Sequence, residues 1–203
     1  MSSLSSDYPW VRIPATKDPL SADVVILKGQ NEYWIYDVGN SDEVAKTINN
    51  LPGKKNIIIS HFHADHLGNI SKVNFDKLYV SKQTMKYSKT GTLVEAPVEI
   101  TDGDLKLTIL PFPSSHSKGC LGLVVNDTYL LAGDSTYPCL KDGKRMFNTT
   151  VLKEEIDFLE GVNAQFICLS HEVRFVYKKA TAIKNFCYFY KKRIQGQPYI
   201  EVD

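Results

Sequence analysis

The chain has little cysteine, and what it has is scattered. Cys120, Cys139, Cys168 and Cys187 stand in 203 residues without a Cys-x-x-Cys spacing. That excludes a disulfide framework and a zinc knuckle and leaves four thiols expected to be reduced. Long apolar runs are equally scarce. None approaches the roughly 20 residues that span a bilayer, and the Ser-rich start lacks a basic region followed by an apolar stretch, so no secretory signal is visible. Charge imbalance is missing too: a net charge of +1 names neither a polyanion nor a membrane surface as partner. No repeat or low-complexity segment appears. The expectation is a soluble, cytoplasmic chain forming one domain over 1–203, with no membrane partner and nucleic acid disfavoured.

One local charge cluster remains. Residues 174–193 carry Arg174, Lys178, Lys179, Lys184, Lys191, Lys192 and Arg193 with no acid among them, which reads first as the solvated face of a helix and second as an anion-binding surface.

After a leader over 1–20, expected to be frayed, Ala22–Lys28 and Tyr33–Val38 read as strands of a hairpin turning at Gly29-Gln30-Asn31. Ser41 offers an N-cap to a helix with Val44, Ala45, Ile48 and Leu51 on one face, closed by Pro52-Gly53. Asn56–Ser60 is a short apolar run without alternation, as in a strand covered on both faces. Further strands are expected at Leu78–Val80, Lys106–Leu110, Gly122–Asn126, Tyr129–Ala132 and Gln165–Leu169. Helices are expected at Ser81–Ser88, at Thr150–Leu159 with Glu154 and Glu155 exposed, and at 177–194 as a basic amphipathic helix. Lys82–Glu95 and Ser135–Thr149 read as the loops that shape a pocket. Strand runs alternating with helices predict an α/β fold with helices on the outer faces of sheet.

The chemistry concentrates in Ser60-His61-Phe62-His63-Ala64-Asp65-His66, directly after Ile57-Ile58-Ile59. Residues two apart on extended backbone point the same way, so His61 and His63 can chelate one ion while Asp65 and His66 turn to a second. The chain has two more histidines, His116 in Ser-Ser-His-Ser and His171 after Leu169-Ser170, and none is left over. Neutral imidazoles with a carboxylate suit borderline divalent ions such as Zn²⁺, with Mn²⁺ or Fe also accepted.

His61-x-His63-x-Asp65-His66, followed by His116 in Ser-His-Ser-Lys-Gly, Asp134 in Ala-Gly-Asp and His171, resembles the metal-ligand pattern of the metallo-β-lactamase-fold hydrolases over about residues 20 to 175. The resemblance implies a four-layer αβ/βα sandwich and two divalent metal ions. His61, His63 and His116 would hold one, Asp65, His66 and His171 the other, and Asp134 would bridge them. Asp37 in Tyr-Asp-Val-Gly matches an early aspartate that in relatives supports the ligand loop without binding metal. The implied mechanism is attack by a metal-bridging hydroxide on a carbonyl carbon or a phosphorus, with Asp65 orienting the nucleophile and shuttling its proton.

An aspartate at the bridging position argues against true β-lactamases. The 32 residues after His171 are too few for the helical domain of glyoxalase II, although Gly133–Tyr137 is similar to that thioesterase group. Tyr137 is placed like the catalytic tyrosine of acyl-homoserine-lactone lactonases, where it would donate to a developing oxyanion. The leading expectation is therefore a dinuclear hydrolase of a small ester, thioester or lactone. A phosphodiesterase or nuclease and a mononuclear iron, persulfide dioxygenase-like oxidoreductase are the alternatives. Arg174 and Lys118 are substrate-binding candidates, with Lys141, Lys144 and Arg145 nearby. Trp10, Phe147 and Phe175 have no evident place, so a homodimer could complete the pocket.

Overall fold

The structure, a computed structural model, describes residues 8–202. Two six-stranded sheets face each other with helices outside, the four-layer sandwich expected for this α/β chain.

The first sheet runs in the order Trp10–Ile13, Val24–Lys28, Tyr33–Tyr36, Lys55–Ile58, Lys77–Val80, Thr92–Leu93. Its first three strands are antiparallel and the next three pairings are parallel. The second runs Val176–Lys178, Phe166–Leu169, Tyr129–Gly133, Cys120–Val125, Leu105–Phe112, Val98–Asp102. There only Tyr129–Gly133 and Phe166–Leu169 pair in parallel. Side-chain alternation explains the layering. Val25, Leu27, Trp34, Tyr36 and Ile58 pack inward against Leu107, Ile109, Leu121, Leu123 and Leu131 of the facing sheet. Val24, Ile26, Ile35, Ile57 and Ile59 turn outward beneath helix α1 (Asp42–Asn49). Both faces are dry, which is why Ile57-Ile58-Ile59 shows no polar alternation. Fully burying an aliphatic side chain of this size contributes about 1.5–3 kcal/mol.

Ser41 caps α1 as expected, its side chain accepting from Val44 N–H. Helix α2 is the single turn Ala64–Leu67 and α3 spans Lys82–Ser88. Helices α4 (Thr149–Gly161) and α5 (Lys179–Lys191) cover the outer face of the second sheet. No helix among the described residues is long and apolar enough to cross a membrane.

Several expectations need correction. Residues 1–7 of the supposed leader lie outside the described residues, but Trp10–Ile13 is a paired strand whose Trp10 is buried against Tyr129 and Phe175. Phe147 and Phe175 are buried as well, so the unplaced aromatics that suggested a second subunit belong to this chain's own core. Ser135–Thr149 is not a loop. It holds the hairpin Cys139–Lys141 and Lys144–Asn148, turning at Asp142-Gly143 with both φ positive, and Tyr199–Glu201 adds a third strand. The C-terminal helix starts two residues later and ends three earlier than the 177–194 expected, because Val176–Lys178 pairs with Phe166–Cys168. Its buried face centres on Phe186, leaving Ala180 and Ile194 exposed.

Candidate metal centre

The parallel strands of both sheets end at one place, and the predicted ligands follow those ends. Lys55–Ile58 leads into Ser60, which is caught between the sheets: its N–H donates to Asp37 Oδ1 at 2.7 Å and its carbonyl accepts from Leu121 N–H at 2.8 Å. His61 and His63 then lie on extended chain, and α2 begins at Ala64 with His63 as its extended N-cap residue (φ −65°, ψ 147°). That change of backbone turns Asp65 and His66 away from the first pair. The loop is therefore extended only as far as His63.

From the second sheet, Leu105–Phe112 leads to His116, whose N–H donates to Ser114 Oγ at 3.1 Å. Tyr129–Gly133 leads to Asp134. Gly133 has φ +54°, and a Cβ there would sit 3.0 Å from Ser60 Cβ and Oγ, so glycine is needed where the two ligand segments cross. Phe166–Leu169 leads to His171, itself in left-handed conformation (φ 62°). Asp23 fixes it there: Asp23 Oδ2 accepts from His171 N–H at 2.9 Å and from Ser170 Oγ at 3.2 Å, and Arg12 pairs with Asp23 Oδ1 at 2.5 Å.

All seven predicted ligand residues meet here. They form two sets, His61, His63 and His116 in one and Asp65, His66, Asp134 and His171 in the other, and within each set the ligand atoms lie within 4.8 Å of one another. His63 Nδ1 is 2.9 Å from His61 Nε2 and 3.2 Å from His116 Nε2. In the second set His171 Nε2 is 2.9 Å and His66 Nε2 3.5 Å from Asp65 Oδ2. Asp134 Oδ2 stands between the sets, 3.4 Å from His66 Nε2 and 3.7 Å from both His171 Nε2 and His116 Nε2.

The donors fit a pair of cations. His66 Nε2 and Asp134 Oδ1 are buried without a hydrogen-bond partner, the mark of polar atoms aimed at something other than protein. The second nitrogens are already committed. His66 Nδ1 lies 2.7 Å from Asp37 Oδ2 and His61 Nδ1 lies 3.0 Å from Ser60 Oγ. Such an outer partner fixes the tautomer that leaves Nε2 free for a metal.

Electrostatics agree. Burial lowers His61, His63 and His116, so these imidazoles are held neutral, the form that coordinates an ion. Burial opposes charge on His66 as well, but the Asp37 and Asp134 carboxylates outweigh it and push His66 up to about 10. That proton sits where a cation would. Burial raises Asp65, yet the hydrogen bond from His171 and the His66 charge prevail and leave it below the usual carboxylate range.

Asp37 has φ +62°, and its carboxylate meets Ser60 N–H, Ser60 Oγ and His66 Nδ1. Tyr137 lies close by, its ring 6.3 Å from that of His116, but its hydroxyl donates to the Ser170 carbonyl and is 3.5 Å from Glu172 Oε1. Arg174 is exposed, with its guanidinium 5.9 Å from the Tyr177 ring, and Lys118 is exposed. Neither makes a hydrogen bond or ion pair with a residue of the ligand sets.

Two supporting residues escaped the sequence reading. Asp23 gives no local signal, since it lies 148 residues from the backbone it holds. Glu155, expected to be exposed, is fully buried and accepts from Ser115 N–H at 2.5 Å, beneath the segment that carries His116. Its signal was present. Glu155 lies three residues after Leu152 and four before Leu159, on the helix's buried face.

No family model matches the chain, and no curated protein matches it. Solved structures do. The chemotaxis sensor ODP, described with a peroxy diiron species, superposes with a TM-score of 0.65 at 15% identity over 94% of each chain. An archaeal metallo-beta-lactamase superfamily protein from Sulfolobus tokodaii gives 0.63 at 16% identity, covering 95% of this chain and 90% of that one. MEM-A1, a subclass B3 metallo-beta-lactamase from a soil metagenome library, gives 0.64 at 16% identity, covering 92% and 90%. The chain has the metallo-β-lactamase fold.

Proposed function

We propose that this fold carries a dinuclear metal-dependent hydrolase acting on a small ester, thioester or lactone. The observation that supports it most is the pair of complete ligand sets meeting at Asp134 Oδ2. His61, His63 and His116 would hold one ion, Asp65, His66 and His171 the other, with Asp134 shared. Five imidazoles and two carboxylates suit Zn²⁺, and Mn²⁺ or Fe also accept such a set. When bound, two such ions supply Lewis acidity and lower the pKa of a water, giving a nucleophile near neutral pH.

The remaining work falls to the chain. Asp65 is the carboxylate that orients the attacking water and accepts its proton. Asp37 and Ser60 keep His66 and His61 in the ligating tautomer. Asp23 and Tyr137 hold the segment bearing His171 from both sides. With its proton directed to Ser170, Tyr137 serves as a positioning group, and as an oxyanion donor only if that bond is released. The substrate is a small molecule.

The test is elemental analysis of purified protein combined with a panel of ester, thioester, lactone and phosphodiester substrates. Two ions per chain and carboxylic-ester turnover abolished by His116→Ala are expected. Two ions without turnover of any carboxylic ester would refute it, and cleavage of the phosphodiester alone would promote the nuclease reading. A second reading, a di-iron oxidoreductase, draws on the likeness to ODP over 94% of both chains. Two irons per chain with oxygen uptake and no hydrolysis would select it.

A further inference from the structure

A cavity of about 210 Å³ opens beside the ligand sets, between the Cys139–Asn148 hairpin and α5. Its floor is apolar, built from Phe147 of the hairpin and from Phe186 and Phe189 of α5, which pack on one another. Its wall toward the candidate metal centre is Tyr137, next to His116, and Glu172, the residue after His171. Anything bound in the cavity therefore lies against the same two groups that flank the ligands.

Its charge is also defined. Tyr177 donates at 3.2 Å to Glu172 Oε2, while Tyr137, whose proton goes to Ser170, lies 3.5 Å from Oε1. Arg145 lines the same cavity, is exposed, and its guanidinium has no hydrogen bond or ion pair with any described residue. The cationic group left open to a ligand is this guanidinium. A guanidinium offers a planar fork that matches a carboxylate in bidentate fashion, and aromatic rings below it suit an apolar body. The volume falls under the roughly 300–1,000 Å³ of pockets that enclose drug-sized ligands, so one ring or a short chain fills it.

We propose that this cavity receives the non-reacting part of the substrate, a single aryl or short alkyl group bearing a carboxylate held by Arg145. This deepens, and rests on, the hydrolase reading above: the acid end would sit in the cavity and the scissile bond over the ligand sets. Of the basic residues near the ligands in sequence, Arg145 is thereby selected over Arg174 and Lys118.

The test is calorimetric titration of metal-loaded protein with 3-phenylpropanoate and, separately, its neutral amide. Wild type should bind the acid, Arg145→Met should weaken the acid at least tenfold while leaving the amide unchanged, and Ala182→Phe, which fills the cavity, should weaken both. Thermal unfolding and metal content of each variant exclude misfolding as the cause. Wild type that binds neither compound would overturn the proposal. So would acid binding that survives Arg145→Met and disappears in His116→Ala, since the carboxylate would then lie at the ligand sets. Because binding is read without turnover, a protein that binds the acid but hydrolyses no ester would refute the reaction and leave the cavity assignment standing.

Discussion

Asp37 offers the sharpest test of how the site is held. It is fully buried, and its carboxylate makes three short hydrogen bonds, to Ser60 N–H and Ser60 Oγ at 2.7 and 2.8 Å and to His66 Nδ1 at 2.7 Å. In Asp37→Ala the Ser60 N–H is left buried without an acceptor, which costs about 1–3 kcal/mol. Left-handed backbone at φ +62° adds about 1–2 kcal/mol for alanine. Release of a buried carboxylate offsets part of this, so a net loss of about 2–4 kcal/mol in metal-free stability is expected. Losing the outer partner of a ligating histidine weakens metal binding about 10–100-fold, or about 1.4–2.8 kcal/mol.

Asp37→Asn separates the two effects. Asparagine tolerates the left-handed conformation and its carbonyl can still accept from Ser60 N–H. Its amide would then face His66 Nδ1, so the ring must carry its proton on Nε2, the atom needed for metal. Asn should regain most of the stability yet bind the second ion nearly as weakly as Ala does. The first set, which meets Asp37 only through Ser60, should be nearly unaffected. Zinc competition against a chromophoric chelator, with chemical denaturation in the presence of EDTA, measures both. An Asp37→Asn protein that keeps two wild-type affinities would refute the reasoning, as would equal weakening of both ions.

Other substitutions probe other parts. Burial pushes the Glu155 carboxyl well above its ordinary range, so folding takes up a proton between the unfolded and folded pKa values and stability falls as pH rises through that window. Glu155→Gln should flatten that slope and stabilise the protein at neutral and higher pH, as denaturant midpoints across pH 4–9 would reveal; an unchanged slope refutes it. Asp102 accepts from Asn31 N–H, Glu32 N–H and Trp34 Nε1–H at 2.9, 3.1 and 3.2 Å. Its loss in Asp102→Ala should cost about 2–4 kcal/mol by denaturation, without changing metal stoichiometry. Gly133→Ala, crowded against Ser60 and strained at φ +54°, should cost about 1–3 kcal/mol and lower metal affinity in the same chelator competition. Stripping metal with EDTA should lower the thermal midpoint, and restoring it at a thousandfold excess over Kd should return about 4 kcal/mol for each ion bound.

Local signals carried much of the fold. Ile57-Ile58-Ile59 announced a strand dry on both faces, Ser41 a capped helix, and five histidines without a remainder announced a cluster. What escaped depends on residues far apart or on weak turns. Trp10–Ile13 is a strand only because Val24–Lys28 pairs with it, and nothing within four residues says so. Asp142-Gly143 was a hairpin signal among polar neighbours, where alternation gave no support. Glu155 was assigned to solvent by its charge, although its helical position put it inward, because the Ser115 N–H that donates to it lies 40 residues away. The seven side chains that meet at the candidate site were legible in the sequence, while the left-handed backbone at Asp37 and His171 that aims two of the segments needed coordinates.

The crossing of Ser60 and Gly133 has a consequence for time rather than for affinity. His61, His63, Asp65 and His66 belong to the first sheet's half of the chain, and His116, Asp134 and His171 to the second's, so neither ligand set can be completed until the halves dock. An ion captured in either set then stitches together segments up to 106 residues apart, as Asp65 and His171 are in the second set. Docking must precede capture, and release must precede separation. Metal should therefore act mainly on how long the sandwich stays closed, slowing unfolding far more than it speeds folding.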